Sequence, residues 1–438
     1  MKRILIIWVA ALGGGLHGDG MAAQQQSQGV VWAMNVAGSA YQSSDGITYS
    51  AETGITGGEI GCIETIKGSQ DPTLYQNYRV GDIRVDHTLP NGSYDVILHF
   101  AEPNDIGGGE RVFDVLVNGE RRIEDLDVMA WRDGKVISAL TVATAAVPVT
   151  DGKLEVRFEP KQGEPILSAV VVRERQARDP SWKLKWSDEF DYEGAPDPTK
   201  WTHDIWQPRK VNNEDQYYTD REQNVRVENG MLVIEAHRED YENAQYTSGR
   251  IHTAGKGDFL YGRFEMRAKV PRGQGTWPAI WMLPSDPYKY STTCEPGEDW
   301  QGSETCDAWP NSGEIDILEH VGYQMGHVHG TVHNRAYYWV NWEQRKGRIL
   351  DSTVESEFHV YALEWSPERI DIFVDDTLYF SYMNEGTGWE AWPYDHPFHL
   401  IINIAVGGVW GSAGGPTDDS VLPQKMWVDF VRVYEREI

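Results

Sequence analysis

Alternation of apolar and polar residues with period two runs through almost the whole chain. Tyr94-Asp95-Val96-Ile97-Leu98-His99-Phe100 and Arg111-Val112-Phe113-Asp114-Val115-Leu116-Val117 read as two strands, and Asn118-Gly119 after the second is a hairpin signal. Leu154-Glu155-Val156-Arg157-Phe158 alternates strictly, and Ala169-Val170-Val171-Val172 reads as a strand closing this part of the chain. From residue 30 to about 175 the pattern predicts a β-sandwich of domain size. The charged stretch 174–180 ends in Pro180 and reads as a linker. Strand patterns resume over 182–438, at 231–236, 261–270, 369–374 and 427–434, and fit one larger antiparallel sandwich. Helical periodicity, heptads and internal repeats are not found, so the fold class is all-β.

One stretch departs from the ordinary division of strand faces. In Gly313-Glu314-Ile315-Asp316-Ile317-Leu318-Glu319-His320, Glu314 and Asp316 alternate with Ile315 and Ile317 and share one face. Glu319 is five positions beyond Glu314, so a regular strand turns it to the other side. A β-bulge returns it, and the spacing predicts a bulged strand with three carboxylates on one face. Repulsion and lost hydration oppose such a cluster, so stability does not account for it. With the bulge, the outer Cα atoms are roughly 13 Å apart. Two Glu side chains leaning together then bring their carboxylates to about 5–5.5 Å, the separation a retaining glycosidase needs. One Glu attacks an anomeric carbon, while the other protonates the leaving oxygen and later deprotonates water. Asp316 between them hydrogen-bonds the nucleophile and keeps the acid's pKa raised.

Composition narrows the partners. The 18 Trp and 21 Tyr suggest broad aromatic surfaces. A net charge of −28 argues against nucleic acid, an anionic membrane surface or a highly sulfated polyanion. At the N-terminus Lys2 and Arg3 precede an apolar run from Ile4 to Leu12, and small residues follow to Ala22 and Ala23. This reads as a signal peptide over residues 1–23, with export to the extracellular space or periplasm expected. The run is too short to span a bilayer, and no membrane partner is expected. Cys294 and Cys306 share one polar segment and are expected to pair in an oxidising compartment, a bond worth about 3 kcal/mol for so short a loop. Cys62 is left over and is read as a small buried residue. G-x-S-x-G, P-loop, dinucleotide and C-x-x-C signatures are not found.

The N-terminal part resembles the malectin family of carbohydrate-binding domains. Asn35-Val36-Ala37-Gly38, Leu74-Tyr75-Gln76, Leu98-His99-Phe100-Ala101-Glu102, Val112-Phe113-Asp114-Val115-Leu116-Val117-Asn118-Gly119 and Asp151-Gly152 carry the resemblance. That family includes modules that bind glucose oligomers through loop aromatics, whereas here Pro103-Asn104-Asp105 follows Glu102. Tyr41, Tyr49, Tyr75, Tyr78 and Trp131 are the remaining candidates, with core packing or a spacer role as the competing reading.

The acidic motif and its setting resemble glycoside hydrolase family 16. The supporting residues are Asn213-Glu214-Asp215-Gln216-Tyr217-Tyr218-Thr219, Thr247-Ser248-Gly249-Arg250-Ile251, Gly275-Thr276-Trp277-Pro278-Ala279-Ile280-Trp281-Met282-Leu283-Pro284, His329-Gly330-Thr331-Val332-His333 and Asn403-Ile404-Ala405-Val406-Gly407-Gly408-Val409-Trp410. The resemblance implies a concanavalin-like β-jelly-roll catalytic sandwich over 182–438, after a malectin-like sandwich over 30–175. It implies hydrolysis with retention, Glu314 as nucleophile, Asp316 as its assistant and Glu319 as general acid/base. The longer E-x-D-x-x-E form looks like the laminarinase, agarase and carrageenase side of the family, and the flanking motifs look most like bacterial laminarinases.

Trp277 and Trp281 are four apart and share a strand face, where they stack on sugar rings or pack a core. Asn213, Glu214 and Arg250 are candidates for bonds to sugar hydroxyls, with a simple turn as the alternative for the first two. Asn403 belongs to the same motif set, and Trp410, after two glycines, can cover a groove. His327, His329 and His333 alternate along one strand, but His327 and His333 lie roughly 20 Å apart, too far to share one metal ion. His333 is expected to face the acidic strand. The resemblance further implies a structural calcium ion held by Asp429 with carbonyl oxygens of Glu189 and Gly230, and no cofactor for catalysis.

The sequence thus predicts an exported, monomeric endo-β-1,3-glucanase acting on laminarin-type β-glucan. The alternatives are a mixed-linkage β-1,3-1,4-glucanase or agarase of the same family, and a non-catalytic β-glucan-binding protein.

Overall fold

Several early strands are apolar on both faces, and the fold buries both. Strand Ala169–Glu174 sends Val170 and Val172 into one hydrophobic core and Ala169 and Val171 into another. Strand Gly92–Phe100 divides in the same way, with Val96 and Leu98 on one side and Ile97 on the other. A strand covered on both sides must lie inside a layered structure.

The computed structural model describes residues 29–174 and 179–436. The signal-peptide reading of residues 1–23 and the middle of the expected linker lie outside the described residues. No helix among the described residues is long and apolar enough to cross a membrane.

The first sandwich faces a six-stranded sheet against four strands of a second sheet. Those four, in spatial order, are Val30–Asn35, Ala169–Glu174, Gly92–Phe100 and Leu140–Val149. Met34, Val96, Leu98, Phe113, Val115 and Val156 fill the space between. The strand predicted to close this part lies inside it, paired to Val30–Asn35 and to Gly92–Phe100. The Asn118-Gly119 hairpin is present, with φ of +51° and +79°, the left-handed pair that joins twisted strands. Cys62 departs from expectation: it ends strand Ile55–Cys62 and is exposed rather than buried. That strand pairs to Asn77–Thr88 off the main path of its sheet and buries little side-chain surface.

The four-stranded layer does not stop at the first sandwich. Leu140–Val149 pairs in parallel with Arg345–Leu350, at Val142↔Arg348, Ala143↔Ile349 and Thr144↔Leu350. One twelve-stranded sheet therefore continues through Arg345–Leu350, His327–His333, Glu314–Glu319, Thr276–Pro284, Phe398–Val406, Arg250–His252 and Thr202–His203, with Asp258–Phe259 paired to Phe398–Val406. Its second part stacks on a ten-stranded sheet that includes Gly262–Lys269, His359–Trp365 and Gln424–Arg436. Ile315, Ile317, Leu318, Phe264, Met266 and Leu363 are fully buried between those layers. The same cluster reaches across the joint to Ala33, Tyr49, Tyr75 and Ala143 of the first sandwich.

Tyr49, Tyr75 and Trp131 are therefore core residues rather than loop-tip aromatics. Tyr75 Oη sits 2.8 Å from His99 Nδ1 and 2.7 Å from Thr141 Oγ1. Tyr41 and Tyr78 are half-buried.

Candidate active site

Strand Glu314–Glu319 carries the expected bulge. Against Thr276–Pro284 its register runs Met282↔Ile315, Trp281↔Asp316 and then Ile280↔Leu318, which leaves Ile317 as the extra residue. Register also shifts between Asp316 and Glu319 on the other flank. Glu314, Asp316 and Glu319 consequently line one cavity of about 660 Å³, while Ile315, Ile317 and Leu318 point into the core. Burying each of those apolar side chains contributes about 1.5–3 kcal/mol, which holds the acidic face in place against its own repulsion. The bulge carbonyl of Ile317 accepts Tyr379 Oη at 3.4 Å. Tyr379 approaches closely because Gly330 and Gly347 face each other on adjacent strands: a Cβ on Gly330 would stand 2.7 Å from Tyr379 Oη.

Each glutamate accepts one indole N–H. Trp309 Nε1 donates to Glu314 Oε2 at 2.9 Å, and Trp277 Nε1 donates to Glu319 Oε1 at 3.1 Å. His333 faces the acidic strand, with Nε2 3.2 Å from Asp316 Oδ2 and 3.5 Å from Glu314 Oε1. Burial pushes all three carboxyls above the usual carboxylate range. Asp316 adds to the rise of Glu314, and Glu319 adds to that of Asp316. At Glu319 the rise is opposed by His333, by the Trp277 hydrogen bond and by Lys346. The site therefore retains a proton that separated carboxylates in water would release, which is what a general acid beside a carboxylate nucleophile requires.

Away from the acidic strand, the groove is built from stacked planes and buried polar chains. The Arg250 guanidinium lies between the rings of Trp206 and Trp281, at 4.3 and 4.8 Å from their centroids, and its Nε meets Asp204 Oδ2 at 2.7 Å. Trp281 Nε1 donates to Asn403 Oδ1 at 2.7 Å, Asn403 Nδ2 donates to Tyr218 Oη at 3.1 Å, and Tyr218 Oη donates to Glu214 Oε2 at 3.2 Å. Burial raises the Glu214 carboxyl, and Arg250 opposes the rise. Trp410 packs edge-on against Trp277 and His329.

Of the residues singled out in the sequence, Glu214, Arg250, Trp277, Trp281, His333, Asn403 and Trp410 line this groove with the three carboxylates. Asn213 does not. It is exposed in a left-handed turn, and its neighbour Asn212 lines the groove and donates to Glu214 Oε1 at 3.2 Å. His327, His329 and His333 do not gather round a common point. His327 packs on Trp131, and burial, then Arg348, holds His327 and His329 well below the ordinary histidine range.

The one carboxylate of the expected calcium site already has a partner. Register brings Glu189 and Gly230 toward the last strand, through Asp188↔Val431 and Leu232↔Val428. The Asp429 carboxylate, however, is engaged by Arg267 Nη1 at 2.6 Å. The Arg267 guanidinium brings positive charge to the carboxylate that would face the ion. Among the described residues, the metal-type ligands that do lie within 4.8 Å of one another are Glu314, Asp316 and His333, in the groove itself.

Sequence reasoning did not nominate Trp309, Trp300, Gln344, Lys346, Asp133 or Lys135, all of which line the groove. The Cys294–Cys306 disulfide is present with its Cα atoms 5.0 Å apart, and it staples a loop that brings Trp300 to one wall. Trp300 was thus accessible in principle, as an aromatic inside a stapled loop. Lys346 carried no signal. It lies two strands from Glu319, and burial brings it down to about 8 even with Asp133 beside it.

A family model described as glycosyl hydrolases family 16 matches residues 212–429, and one described as malectin domain matches residues 30–177. A β-glucanase of Rhodothermus marinus is 49% identical over 272 residues, which covers 61% of this chain and 90% of that protein. The glucan endo-1,3-β-glucosidase A1 of Niallia circulans is 36% identical over 273 residues, covering 58% of this chain and 36% of its own. The solved laminarinase of Rhodothermus marinus, 50% identical, superposes with a TM-score of 0.53 over 60% of this chain and 100% of that one.

Proposed function

Because the chain belongs to glycosyl hydrolase family 16, we propose that it cuts β-1,3-glucan internally and with retention of anomeric configuration. The observation that carries this reading is the bulged strand that turns Glu314, Asp316 and Glu319 into one groove, with an indole N–H on each glutamate. Glu314 attacks the anomeric carbon, and Glu319 gives its proton to the departing glycosidic oxygen. Glu319 then takes a proton from water, whose oxygen displaces Glu314 from the same carbon. Asp316 sits between them and restrains Glu314, with His333 against both. Trp281 and Trp410 offer flat apolar faces to glucose rings, while Glu214, Arg250 and Asn403 hold the groove wall. No cofactor takes part in these steps.

Likeness to a β-glucanase and to an endo-1,3-β-glucosidase supports a β-glucan substrate. We take residues 30–175 and 182–438 as the two modules of an exported protein.

Laminarin, lichenan and agarose offered side by side test the substrate, and cleavage of agarose alone would overturn it. Proton NMR of fresh digests tests the mechanism, with the β-anomer expected first. Glu314→Ser should lower reducing-end release by about 10⁴-fold or more while the polysaccharide still binds. Undiminished activity in that variant removes Glu314 from the chemistry.

A further inference from the structure

The first sandwich reaches into the groove of the second. Asp133 and Lys135 line the same cavity as the three carboxylates. They follow the short turn Ala130–Arg132, which ends with Asp133 at φ +57°. Three layers of contact fix this loop. The backbone of Leu140–Val149 is paired to Arg345–Leu350. Lys346 Nζ, almost buried, meets Asp133 Oδ2 at 2.8 Å. On the same face of that strand, Arg348 Nη2 donates to the Trp131 carbonyl at 3.0 Å and stacks its guanidinium 4.8 Å from the Trp131 ring centre. Beyond them, Lys135 Nζ donates to the Trp339 carbonyl at 3.4 Å and stands 5.9 Å from its ring. A module joined only by a flexible linker would hold no such register.

Strand order places this loop relative to the chemistry. Trp281, Asn403 and Arg250 lie on one side of the acidic strand. The other side continues through His327–His333 and Arg345–Leu350 to the joint. Adjacent strands are about 4.8 Å apart, so Lys346 is roughly 10 Å from the acidic strand, within reach of an oligosaccharide lying across the sheet. Trp339 is 46% exposed and lines the same groove. Beside it the Asp133 carboxylate accepts hydrogen bonds and the Lys135 and Lys346 ammonium groups donate them. A neutral sugar with many hydroxyls matches that mixture of donors and acceptors around an aromatic plane.

We propose that Asp133 and Lys135 of the first sandwich form, with Lys346 and Trp339, a glucan-binding subsite at this end of the groove. Chain-length preference is then set jointly by both sandwiches. The inference rests on the β-glucanase reading, and its test keeps the two apart.

Full-length parent, Lys135→Ala and Asp133→Ala are assayed on a ladder of β-1,3-linked gluco-oligosaccharides and on laminarin, with products resolved by length and thermal midpoints recorded. Loss of one or two hydroxyl contacts should lower kcat/KM about three- to tenfold on long substrates. The loss should grow with chain length, and the cleavage position should shift. Equal loss at every length, or an unchanged product ladder in both variants, overturns the subsite. If Asp133→Ala melts lower because Lys346 loses its partner, Lys135→Ala decides, since its side chain lies at the surface of the joint. A parent that cuts no β-1,3-glucan overturns the underlying reading, and the subsite with it, without reference to either variant.

Discussion

Asp316 holds a nearly buried carboxylate on the same strand face as two glutamates, with His333 Nε2 at 3.2 Å. Burial, then Glu319, lifts its pKa. A carboxyl raised in this way keeps a proton in the folded state that the unfolded chain has already lost. Its stabilising contribution is present at low pH and disappears as pH rises through the folded pKa. Asp316→Asn should therefore melt higher than the parent at neutral pH, by about 0.5–2 kcal/mol, while activity falls. The gap should close below about pH 3, where carboxyls are protonated in both states. Thermal melts at the two pH values check this, and a gap that does not change with pH contradicts it. At this scale the acidic triad, Trp277, Trp281, Arg250 and Trp410 were legible, because residue type and spacing within one or two strands were enough. Asn213 was not: Asn212 and Asn213 both have positive φ, and the path of that turn decides which one meets the groove.

The acidic strand keeps its bulge through a neighbour in the opposite sheet. Tyr379, on strand Thr377–Met383, reaches the Ile317 carbonyl because Gly330 leaves room for its hydroxyl. Gly330→Ala should displace that hydroxyl and destabilise the fold by about 1–3 kcal/mol. It should also depress kcat by loosening Glu319 relative to Glu314, while Gly347, where the added methyl would meet Tyr379 backbone, tolerates Ala no better. Chemical denaturation and steady-state kinetics of the Gly330 variant measure both effects, and a variant as stable and active as the parent removes this role for Tyr379. The disulfide loop acts on the other wall. Cys294→Ser with Cys306→Ser should cost about 3 kcal/mol of local order in the chain-entropy account and raise KM through Trp300. Unaltered KM in the double variant would separate Trp300 from substrate. The bulge was legible from a five-residue spacing, whereas the Gly330–Tyr379 contact joins strands almost fifty residues apart and leaves no periodic trace.

At the scale of the molecule, one twelve-stranded sheet and a shared apolar cluster join the two sandwiches. Calorimetry of the full chain should therefore show a single unfolding transition, and two well-separated transitions would contradict a continuous joint. Removing residues 29–178 should leave the edge of Arg345–Leu350 unpaired, so the remaining part should aggregate or melt lower. The ion pair Arg267–Asp429 bears on the expected calcium site. Chelation with EDTA should leave the thermal midpoint unchanged, and a drop reversed by added calcium would show that the ion displaces Arg267.

Local patterning determined what local physics controls. Period-two alternation set the strands, Asn118-Gly119 set a hairpin, and the interval from Glu314 to Glu319 set a bulge with its carboxylates on one face. Each of these follows from backbone geometry over a few residues. The tertiary structure alone decided how the two sandwiches meet. The apolar run Ala169-Val170-Val171-Val172 announced a strand covered on both faces but not what covered the second. Parallel pairing of Leu140–Val149 with Arg345–Leu350 joins segments about two hundred residues apart, a contact written in no spacing and settled by which exposed edge and which apolar face were complementary. That joint carries Asp133 and Lys135 to the rim of a groove whose acids were visible from the sequence.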